Sequence, residues 1–359
     1  KGESVVDFRN SNLHVVSYSV PVHRRVSLNE LRAHLYSLPE HPDWIPYRTS
    51  YYNENWAFCV SHRQLESLTE AEYEVCIDAT LADGSLTYAE HFLPGETDDE
   101  VLISCHVCHP SLCNDNLAGI SLSVFLAQHL ARRTQRRYSY RFLFIPGTIG
   151  SITWLARNGT TAGRIRHGMV VTCVGDSGPF TYKKSRRGDA EIDRAVAHVL
   201  KHSARPYVLQ DFFPYGYDER QYCSPGFNLP VGCLMRSPHG TFPEYHTSAD
   251  NLEFVRPENL QESLERYIEV IEVLEGNRTY VNLNPNCEPQ LGKRGLYAAI
   301  GGDSEAARRQ LAMLWVLNLS DGTHSLLDIA EQSGFPFRDV LGVAQLLQRH
   351  DLLVEAAPS

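Results

Sequence analysis

The segment that most constrains this chain is residues 104–119, which reads Ser-Cys-His-Val-Cys-His-Pro-Ser-Leu-Cys-Asn-Asp-Asn-Leu-Ala-Gly. It follows the apolar run 101–103 and precedes an apolar helical pattern that starts at Ile120. This order of buried strand, polar loop and helix is typical of an open α/β sheet, in which the carboxyl ends of the strands carry the chemistry. The loop contains His106, His109 and Asp115. Imidazole together with carboxylate is a ligand set for a divalent transition ion, with zinc as the first choice.

Three other interpretations of this segment compete with a metal site. The spacing Cys105-His-Val-Cys108-His109 also fits a c-type haem attachment motif, but the Asn-Asp-Asn that follows suits a cation better than a porphyrin. A thiolate zinc knuckle needs a second close pair of cysteines, whereas the later cysteines are scattered singly, at Cys173, Cys223, Cys233 and Cys287. A surface turn without function also stays open, because short motifs are weakly specific.

Composition narrows the class of protein. The formal charge of −10 and the pI near 5.9 argue against a nucleic-acid partner and against an anionic membrane surface. No apolar run approaches the roughly 18 residues that a membrane span needs. The nine cysteines are odd in number and dispersed, which indicates reduced thiols and a cytoplasmic protein. The sequence leaves open whether the chain forms a homo-oligomer.

The order of apolar patterns predicts an α/β protein with more than one domain. Residues 13–95 are rich in aromatic and β-branched residues, and Ala82-Asp-Gly-Ser predicts a hairpin turn. From residue 98 to 280, strand patterns alternate with helix patterns, which indicates a sheet with helices on both faces. The predicted strands are 101–105, 140–145, 169–174 and 229–234, and the predicted helices are 117–132, 149–157, 188–202 and 257–275.

The last part of the chain has the pattern of a winged helix. Residues 303–359 predict three helices and a terminal strand, with eight acidic against four basic residues. The candidate recognition helix carries only Arg338 and Arg349 as basic residues, and a DNA-reading domain needs a basic face. The composition therefore favours a docking or dimerisation module over a DNA-binding domain.

A second polar segment lies far downstream and reads Phe242-Pro-Glu-Tyr-His-Thr-Ser-Ala-Asp. Within it, His246 is a candidate final metal ligand, and the phenol of Tyr245 can hydrogen-bond a developing oxyanion. Between the two segments, Asp176 follows a predicted strand, and residues 218–220 form a charged loop. Each motif is weak alone, but their order at successive strand ends favours a single site.

These segments resemble two groups of known proteins. His106, Asn114-Asp115-Asn116 with Gly119, and Tyr245-His246-Thr247 resemble the co-catalytic zinc aminopeptidases. The chain is also similar, over nearly its whole length, to a family of bacterial aminopeptidase-like proteins with a β-rich insert and a C-terminal winged helix. The second resemblance rests on the motifs Leu13-His-Val-Val-Ser-Tyr-Ser, His106-Val-Cys-His-Pro-Ser-Leu, Asp218-Glu-Arg-Gln-Tyr-Cys-Ser-Pro-Gly, Glu244-Tyr-His-Thr-Ser-Ala-Asp and Cys287-Glu-Pro-Gln-Leu-Gly.

The resemblance implies a fold and a domain arrangement. Residues 1–12 and 97–300 would form an α/β catalytic domain, a zinc-exopeptidase-like mixed sheet flanked by helices. Residues 13–96 would form the β-rich insert domain, and residues 303–359 the winged helix. Genes of the family lie among those of surface-polysaccharide or natural-product pathways, which implies a biosynthetic role.

The resemblance also implies one or two zinc ions, with manganese or cobalt as alternatives. His106 would ligate one ion, Asp115 would bridge two, and His246 would ligate the other. Asp176 is a further candidate ligand, and His109 is an alternative one in the first segment. Around the ions, Tyr245 would stabilise the tetrahedral intermediate, and the substrate pocket would be shaped by Asp218, Glu219, Arg220 and Glu244.

The departure from the family pattern that matters most is Gly147. The family's Pro-Glu-Thr-Ile-Gly-Ser stands here as residues 146–151, Pro-Gly-Thr-Ile-Gly-Ser, so glycine replaces a glutamate that would ligate a metal or act as general base. Loss of a positioned general base typically lowers the rate by about 10²- to 10⁴-fold. Glu219 or Glu244 could substitute, the site could hold a single ion, or the chain could bind its ligand without hydrolysis.

We therefore expect a metal-dependent, aminopeptidase-like amide or peptide hydrolase that acts on a small aminoacyl or peptide-like substrate in a biosynthetic pathway. The alternative is a non-hydrolytic family member that binds an aminoacyl ligand or a partner protein, and Gly147 supports it. A transcription factor with a sensor domain is disfavoured by the acidic winged helix.

Overall fold

The structure is a computed structural model of the 359-residue chain, and it describes residues 2–296 and 304–357. The predicted boundary between the catalytic domain and the winged helix, at residues 300 to 303, lies outside the described residues. No helix within the two described ranges is both long enough and apolar enough to cross a lipid bilayer.

The first part of the chain forms a small β-rich unit. Ser27 and Ser61 begin its two short helices, where each hydroxyl accepts a hydrogen bond from a backbone N–H three residues on, as N-caps do. Phe58 and Val75 lie in its separate apolar core. Its elements are β1 (Val22–Ser27), α1 (Leu28–Arg32), β2 (Leu35–Tyr36), β3 (Phe58–Cys59), α2 (His62–Glu66) and β4 (Glu72–Ile77).

The hairpin predicted at Ala82–Ser85 is wrong. β4 pairs antiparallel with β1, whereas the next strand, β5 (Ala89–Leu93), joins the large central sheet. The two strands on either side of the turn signal therefore lie in different sheets, because long-range pairing outweighs a local turn preference. The predicted insert 13–96 thus includes one strand of the central sheet.

Within the described ranges, the central sheet has seven strands in the order β10-β9-β11-β8-β6-β7-β5. β6 lies between β7 and β8 and is parallel to both, and β8 is parallel to β11. β5 and β9 run antiparallel to their neighbours β7 and β11. The strands after β5 are β6 (Glu100–His106), β7 (Ser139–Ile145), β8 (Ile165–Val171), β9 (Phe180–Lys183), β10 (Tyr207–Gln210) and β11 (Val231–Met235). The carboxyl ends of β6, β7, β8 and β11 therefore meet at one edge of the sheet.

Helices cover both faces of this sheet, which confirms the predicted α/β class. One apolar core lies between the sheet and α3, α6 and α8, and a second includes Trp154 and Leu155 of α4 and Tyr222 of α7. The helices are α3 (Ala118–Ala131), α4 (Ile149–Arg157), α5 (Gly159–Ala162), α6 (Glu191–His202), α7 (Glu219–Tyr222) and α8 (Pro257–Gly276).

The C-terminal winged helix packs on α6 and α8. Its buried residues, such as Leu327 and Val340, belong to the same apolar core as Val196 and Leu274 of those helices. Its sheet has the order β13-β12-β14, so it includes a strand that precedes the predicted start at residue 303. The elements are β12 (Thr279–Asn282), α9 (Ser304–Leu319), β13 (Asp321–Ser325), α10 (Leu326–Ser333), α11 (Phe337–Arg349) and β14 (Leu353–Glu355).

Candidate metal centre

The site begins where β6 ends. His106 is the last residue of this buried strand and is itself buried. The chain then forms a loop and one irregular helical turn, Cys113–Leu117, before α3 starts. Within this turn Asp115 and Asn116 have non-helical backbone angles, and the peptide bond that joins them is cis. Asn116 ties the turn to the sheet, since its Nδ2 donates to the Val171 carbonyl at 2.9 Å and its Oδ1 accepts from Gly119 N at 3.2 Å.

Two histidines from distant parts of the chain converge on Asp115. His106 Nε2 lies 2.7 Å from Asp115 Oδ1, and His246 Nε2 lies 3.0 Å from Asp115 Oδ2. Both imidazoles direct the same nitrogen toward the fully buried carboxylate, so both can present a lone pair to an ion bound between them. The structure thus brings together three of the four predicted metal ligands.

His109 completes the group. Its Nε2 is 3.9 Å from Asp115 Oδ2, and its ring centroid is 4.9 Å from the rings of both His106 and His246. One ligand atom from each of His106, His109 and Asp115 lies within 4.8 Å of the other two. His246 lies outside this group of three and contacts the second oxygen of Asp115. Imidazole and carboxylate are donor types that zinc prefers. The residues present therefore fit a divalent transition ion.

The charges in this group favour an ionised carboxylate. Burial opposes ionisation of Asp115, but the charge and hydrogen bond of His106 and the hydrogen bond of His246 outweigh burial and lower the pKa of the carboxyl group. Burial, helped by repulsion from His106 and His246 and opposed by the charge of Asp115, lowers the pKa of His109 to about 4. The neutral imidazole of His109 is the form that ligates metals.

Asp250 holds the turn that carries Asp115. Its carboxylate accepts from the backbone N–H groups of Asn114 at 2.5 Å and Asp115 at 3.0 Å. Burial raises the pKa of Asp250 to about 6, although these two hydrogen bonds oppose the shift and the charge of Asp115 adds to it. The position of Asp115 therefore depends on a residue that lies 135 positions downstream.

Asp176 is not brought to the histidines. One oxygen of its buried carboxylate accepts from Gly178 N and Ser237 Oγ, each at 2.7 Å, and the other accepts from Asn114 Nδ2 at 2.9 Å. Asn114 in turn accepts from Gly175 N at 2.8 Å. These neutral donors occupy both oxygens, so Asp176 fixes the loops around the site instead of facing it.

The predicted substrate residues fall into two positions. Asp218 is buried, and one of its oxygens accepts from Thr148 N at 2.6 Å and Ser151 Oγ at 3.1 Å. Burial raises the pKa of Asp218, opposed by the Thr148 hydrogen bond and the charge of His106. Glu219 instead pairs with the buried Lys183, Nζ to Oε1 at 2.8 Å. That pairing places Glu219 in a structural contact and not among the histidines.

Tyr245 and Glu244 flank His246. The Tyr245 ring stacks on the His246 ring, with centroids 3.9 Å apart and planes 15° apart. Burial, together with the charge of Asp115, raises the pKa of the Tyr245 phenol, which keeps it protonated and able to donate. Glu244 is partly buried, and its backbone carbonyl accepts from Thr247 N at 3.1 Å.

Two aromatic residues that line the site were not predicted from the sequence. Tyr217 stacks on His106 with ring centroids 5.1 Å apart, and its neighbour Asp218 was a signal that could have pointed to it. Tyr47, from the β-rich unit, lies edge-on to His109 and His246 at 5.3 and 5.0 Å. Tyr47 N also donates to the His246 carbonyl at 2.7 Å. Tyr47 lies in no recognisable local motif, and it reaches the two histidines only through the tertiary fold.

Gly147, the residue that departs from the family pattern, faces this group. Its backbone N–H donates to Cys108 Sγ at 3.1 Å. A Cβ at this position would lie 3.4 Å from Cys108 Sγ and 3.7 Å from the Cβ of His106, both ordinary van der Waals distances. The glycine therefore leaves room for a side chain next to the histidines.

Comparison with known proteins agrees with this architecture. The family model of a domain of unknown function, DUF4910, matches residues 6–277, and a winged helix-turn-helix family matches residues 278–355. A Clostridium acetobutylicum protein named "Putative polysaccharide biosynthesis protein with aminopeptidase-like domain" is 54% identical over 353 residues, which cover 98% of this chain and 81% of that protein.

Two solved structures are also similar. The crystal structure of a "putative peptidase" from Clostridium acetobutylicum has a TM-score of 0.93 at 52% identity, covering 99% of this chain and 81% of that one. A zinc aminopeptidase from Bacillus subtilis has a TM-score of 0.53 at 14% identity, covering 67% of this chain and 63% of that one, which shows a shared fold. The chain belongs to the DUF4910 family, with an aminopeptidase-like fold and a C-terminal winged helix-turn-helix domain.

Proposed function

We propose that the chain is a zinc-dependent hydrolase that cleaves an amide bond in a small aminoacyl or peptide-like substrate. The observation that carries the proposal is the convergence of His106 and His246 on the two oxygens of Asp115, at 2.7 and 3.0 Å. His109 is the fourth ligand we assign, in place of Asp176. The zinc aminopeptidase fold supports the reaction class, and the name of the 54%-identical relative supports a biosynthetic substrate.

The residues around the ligands suggest how the reaction would run. A zinc ion bound here would polarise the substrate carbonyl and acidify a water molecule. The protonated Tyr245 phenol, stacked on His246, is positioned to donate a hydrogen bond to the oxyanion that forms. The rings of Tyr217 and Tyr47 line the site beside the histidines. Gly147 contributes no base, so we expect slow turnover.

The first test is a metal count on the purified chain. We expect about one zinc per chain in the wild type, because His106, His109 and Asp115 form one close group of donors and Gly147 adds no carboxylate. His106→Ala and His246→Ala should lose most of the zinc. His129→Ala is the matched control, since His129 is exposed and lies in the last turn of α3, away from the site. Elemental analysis after dialysis measures the outcome.

The second part of the test is chelator-sensitive hydrolysis of a panel of aminoacyl amides and dipeptides. Activity should fall on zinc removal, return on zinc addition, and be absent in His106→Ala but present in His129→Ala. Wild-type protein that binds no zinc, or that binds zinc and cleaves no member of the panel, would contradict the proposal.

A second candidate function is ligand binding without hydrolysis. It is favoured by Gly147, which has no side chain to act as a base. It is also favoured by Glu219, whose carboxylate is paired with Lys183. It predicts zinc binding and ligand binding without turnover. The hydrolysis panel separates it from the leading proposal.

A further inference from the structure

We propose that Arg220 binds a carboxylate of the substrate, so that the substrate is an amide or peptide that carries a negative charge close to the bond to be cleaved. This inference rests on the proposed function for the reaction, but the anion site itself is argued from contacts of Arg220. It selects one class within the aminoacyl and peptide-like compounds: acyl or aminoacyl amino acids with a free carboxylate.

Arg220 lies beside the candidate metal centre. One of its terminal nitrogens, Nη2, donates to Thr148 Oγ1 at 3.3 Å, and Thr148 directly follows Gly147. A Cβ at position 147 would lie 3.7 Å from the Cβ of His106 and 3.4 Å from Cys108 Sγ, so this position faces both residues. Asp218, two residues before Arg220, anchors the same loop through Thr148 N. The guanidinium is therefore fixed at the rim of the histidine group.

Arg220 lacks a counter-charge. Across residues 2–296 and 304–357, the ion pairs within 4.0 Å include none made by Arg220. By contrast, the partly buried Arg141 and Arg194 and the buried Arg236 each contact a carboxylate. Its Nε is buried and finds no hydrogen-bond partner among the described residues. A partly desolvated guanidinium that has one hydroxyl partner but no counter-charge is unfavourable, so a bound anion would stabilise it.

The neighbouring acids do not neutralise Arg220. One oxygen of Asp218 accepts from Thr148 N and Ser151 Oγ. Glu219 is paired with the buried Lys183, which also donates to the Tyr215 carbonyl at 2.7 Å. The Tyr215 ring lies 6.0 Å from the guanidinium carbon and supplies an aromatic surface, not a charge. Arg220 thus keeps its positive charge available at the site.

Gly147 provides the space that a substrate needs. No side chain projects from this position, which lies between the Arg220 contact at Thr148 and the histidine group. A ligand could place its carbonyl at the histidines and its carboxylate on Arg220. Because guanidinium and carboxylate match as planar, two-point partners, a carboxylate is favoured over an uncharged amide.

Binding of N-acetylglycinate and of N-acetylglycinamide tests the inference, since the two probes differ only in carboxylate against carboxamide. Titration calorimetry on wild-type protein should show that N-acetylglycinate binds at least tenfold more tightly. Arg220→Met should lose that preference, and Arg220→Lys should retain part of it. The matched control, Arg132→Met, removes an exposed arginine at the far end of α3 and should bind like the wild type.

The measurement is repeated with and without zinc, which separates the two proposals. A preference for the carboxylate probe that depends on Arg220 supports the anion site even if the protein holds no zinc and hydrolyses nothing. Equal binding of the two probes, equal binding by wild type and a folded Arg220→Met variant, or no binding of N-acetylglycinate to the wild type at millimolar concentration would overturn the inference.

Discussion

Asp115 organises the candidate centre at the scale of single residues. Its two oxygens receive His106 and His246, and its backbone N–H is held by Asp250. The centre has no side chain at position 147. Gly147 contributes only a backbone N–H and leaves room for a side chain next to His106. A single side chain at position 147 therefore offers the sharpest test of catalytic capacity.

Gly147→Glu should raise activity. The Cβ fits at ordinary distances from Cys108 Sγ and His106, and the new carboxylate can ligate zinc or act as base. We expect turnover to rise by about 10²-fold or more, in line with the contribution of a positioned general base. Steady-state kinetics on zinc-loaded protein measure it.

Gly147→Gln is the matched control, because it fills the same volume without a carboxylate. It should leave turnover close to that of the wild type. If Gly147→Glu folds and binds zinc but is no faster than Gly147→Gln, the glycine is not what limits the rate.

At the scale of secondary-structure elements, the site depends on loops that are joined by buried polar contacts. The Lys183–Glu219 pair joins β9 to α7, with both side chains almost fully buried. Glu219 Oε2 is buried and finds no partner in the described part of the chain. Because α7 also carries Arg220 and follows Asp218, this pair fixes the segment whose side chains contact Thr148 beside the centre.

Lys183→Met and Glu219→Gln should each destabilise the fold. Removing one partner leaves the other charge or dipole buried without compensation, at a cost of about 3–5 kcal/mol. The double variant should lose less than the sum of the two single variants, because the pair is coupled. Urea unfolding of the four proteins measures the cycle.

The same variants test the predicted catalytic role of Glu219. If Glu219 is structural, Glu219→Gln should retain zinc, and its activity per folded molecule should be near that of the wild type. If Glu219→Gln instead has unchanged stability but no hydrolytic activity, Glu219 has a catalytic role.

At the scale of the whole molecule, the winged helix and the α/β domain share one apolar core. Several polar contacts cross that boundary, among them the ion pairs of Arg194 with Asp328 and Glu331. In another of these contacts, Phe337 N of α11 donates to His198 Nε2 of α6 at 2.9 Å. Burial, with repulsion from His202 and Lys201, lowers the pKa of His198 to about 4. The contact therefore requires the neutral form of His198.

Lowering the pH should weaken this connection. The pKa of His198 is depressed in the folded state, so its contribution is fully present above the unfolded value of 6.5 and is lost as the pH falls toward 4. Between pH 7 and pH 5 the loss amounts to about 2 kcal/mol of unfolding free energy. His198→Gln, whose amide can accept the same N–H without titrating, should lose correspondingly less.

Chemical denaturation of the wild type and of His198→Gln between pH 7 and pH 5 measures the unfolding free energy of each protein. His202, which packs on His198 and whose pKa burial also lowers, is present in both proteins and cancels. Identical pH dependence of the wild type and His198→Gln would show that His198 does not control the stability of the boundary.

Local pattern determined the α/β class, four of the strands, the long helices and the segments that hold His106, Asp115 and His246. Those features follow from periodicity and from ligand chemistry, which a short stretch of sequence carries by itself. Strand β9 and the edge strand β10 are short, and the segment Ala82–Ser85 links strands of two different sheets. Neighbouring residues therefore did not reveal either feature. Their places depend on long-range pairing.

Only the tertiary structure decided which polar residues share the site. Asp176 lies next to a strand end, as the residues of the candidate centre do, yet its oxygens accept hydrogen bonds from Ser237, Gly178 and Asn114. His109 and Tyr47 reach the centre because the β6 loop and the β-rich unit close over it. Sequence alone specifies which side chains can ligate or donate. Distances between them depend on hydrogen bonds and packing that join residues more than a hundred positions apart.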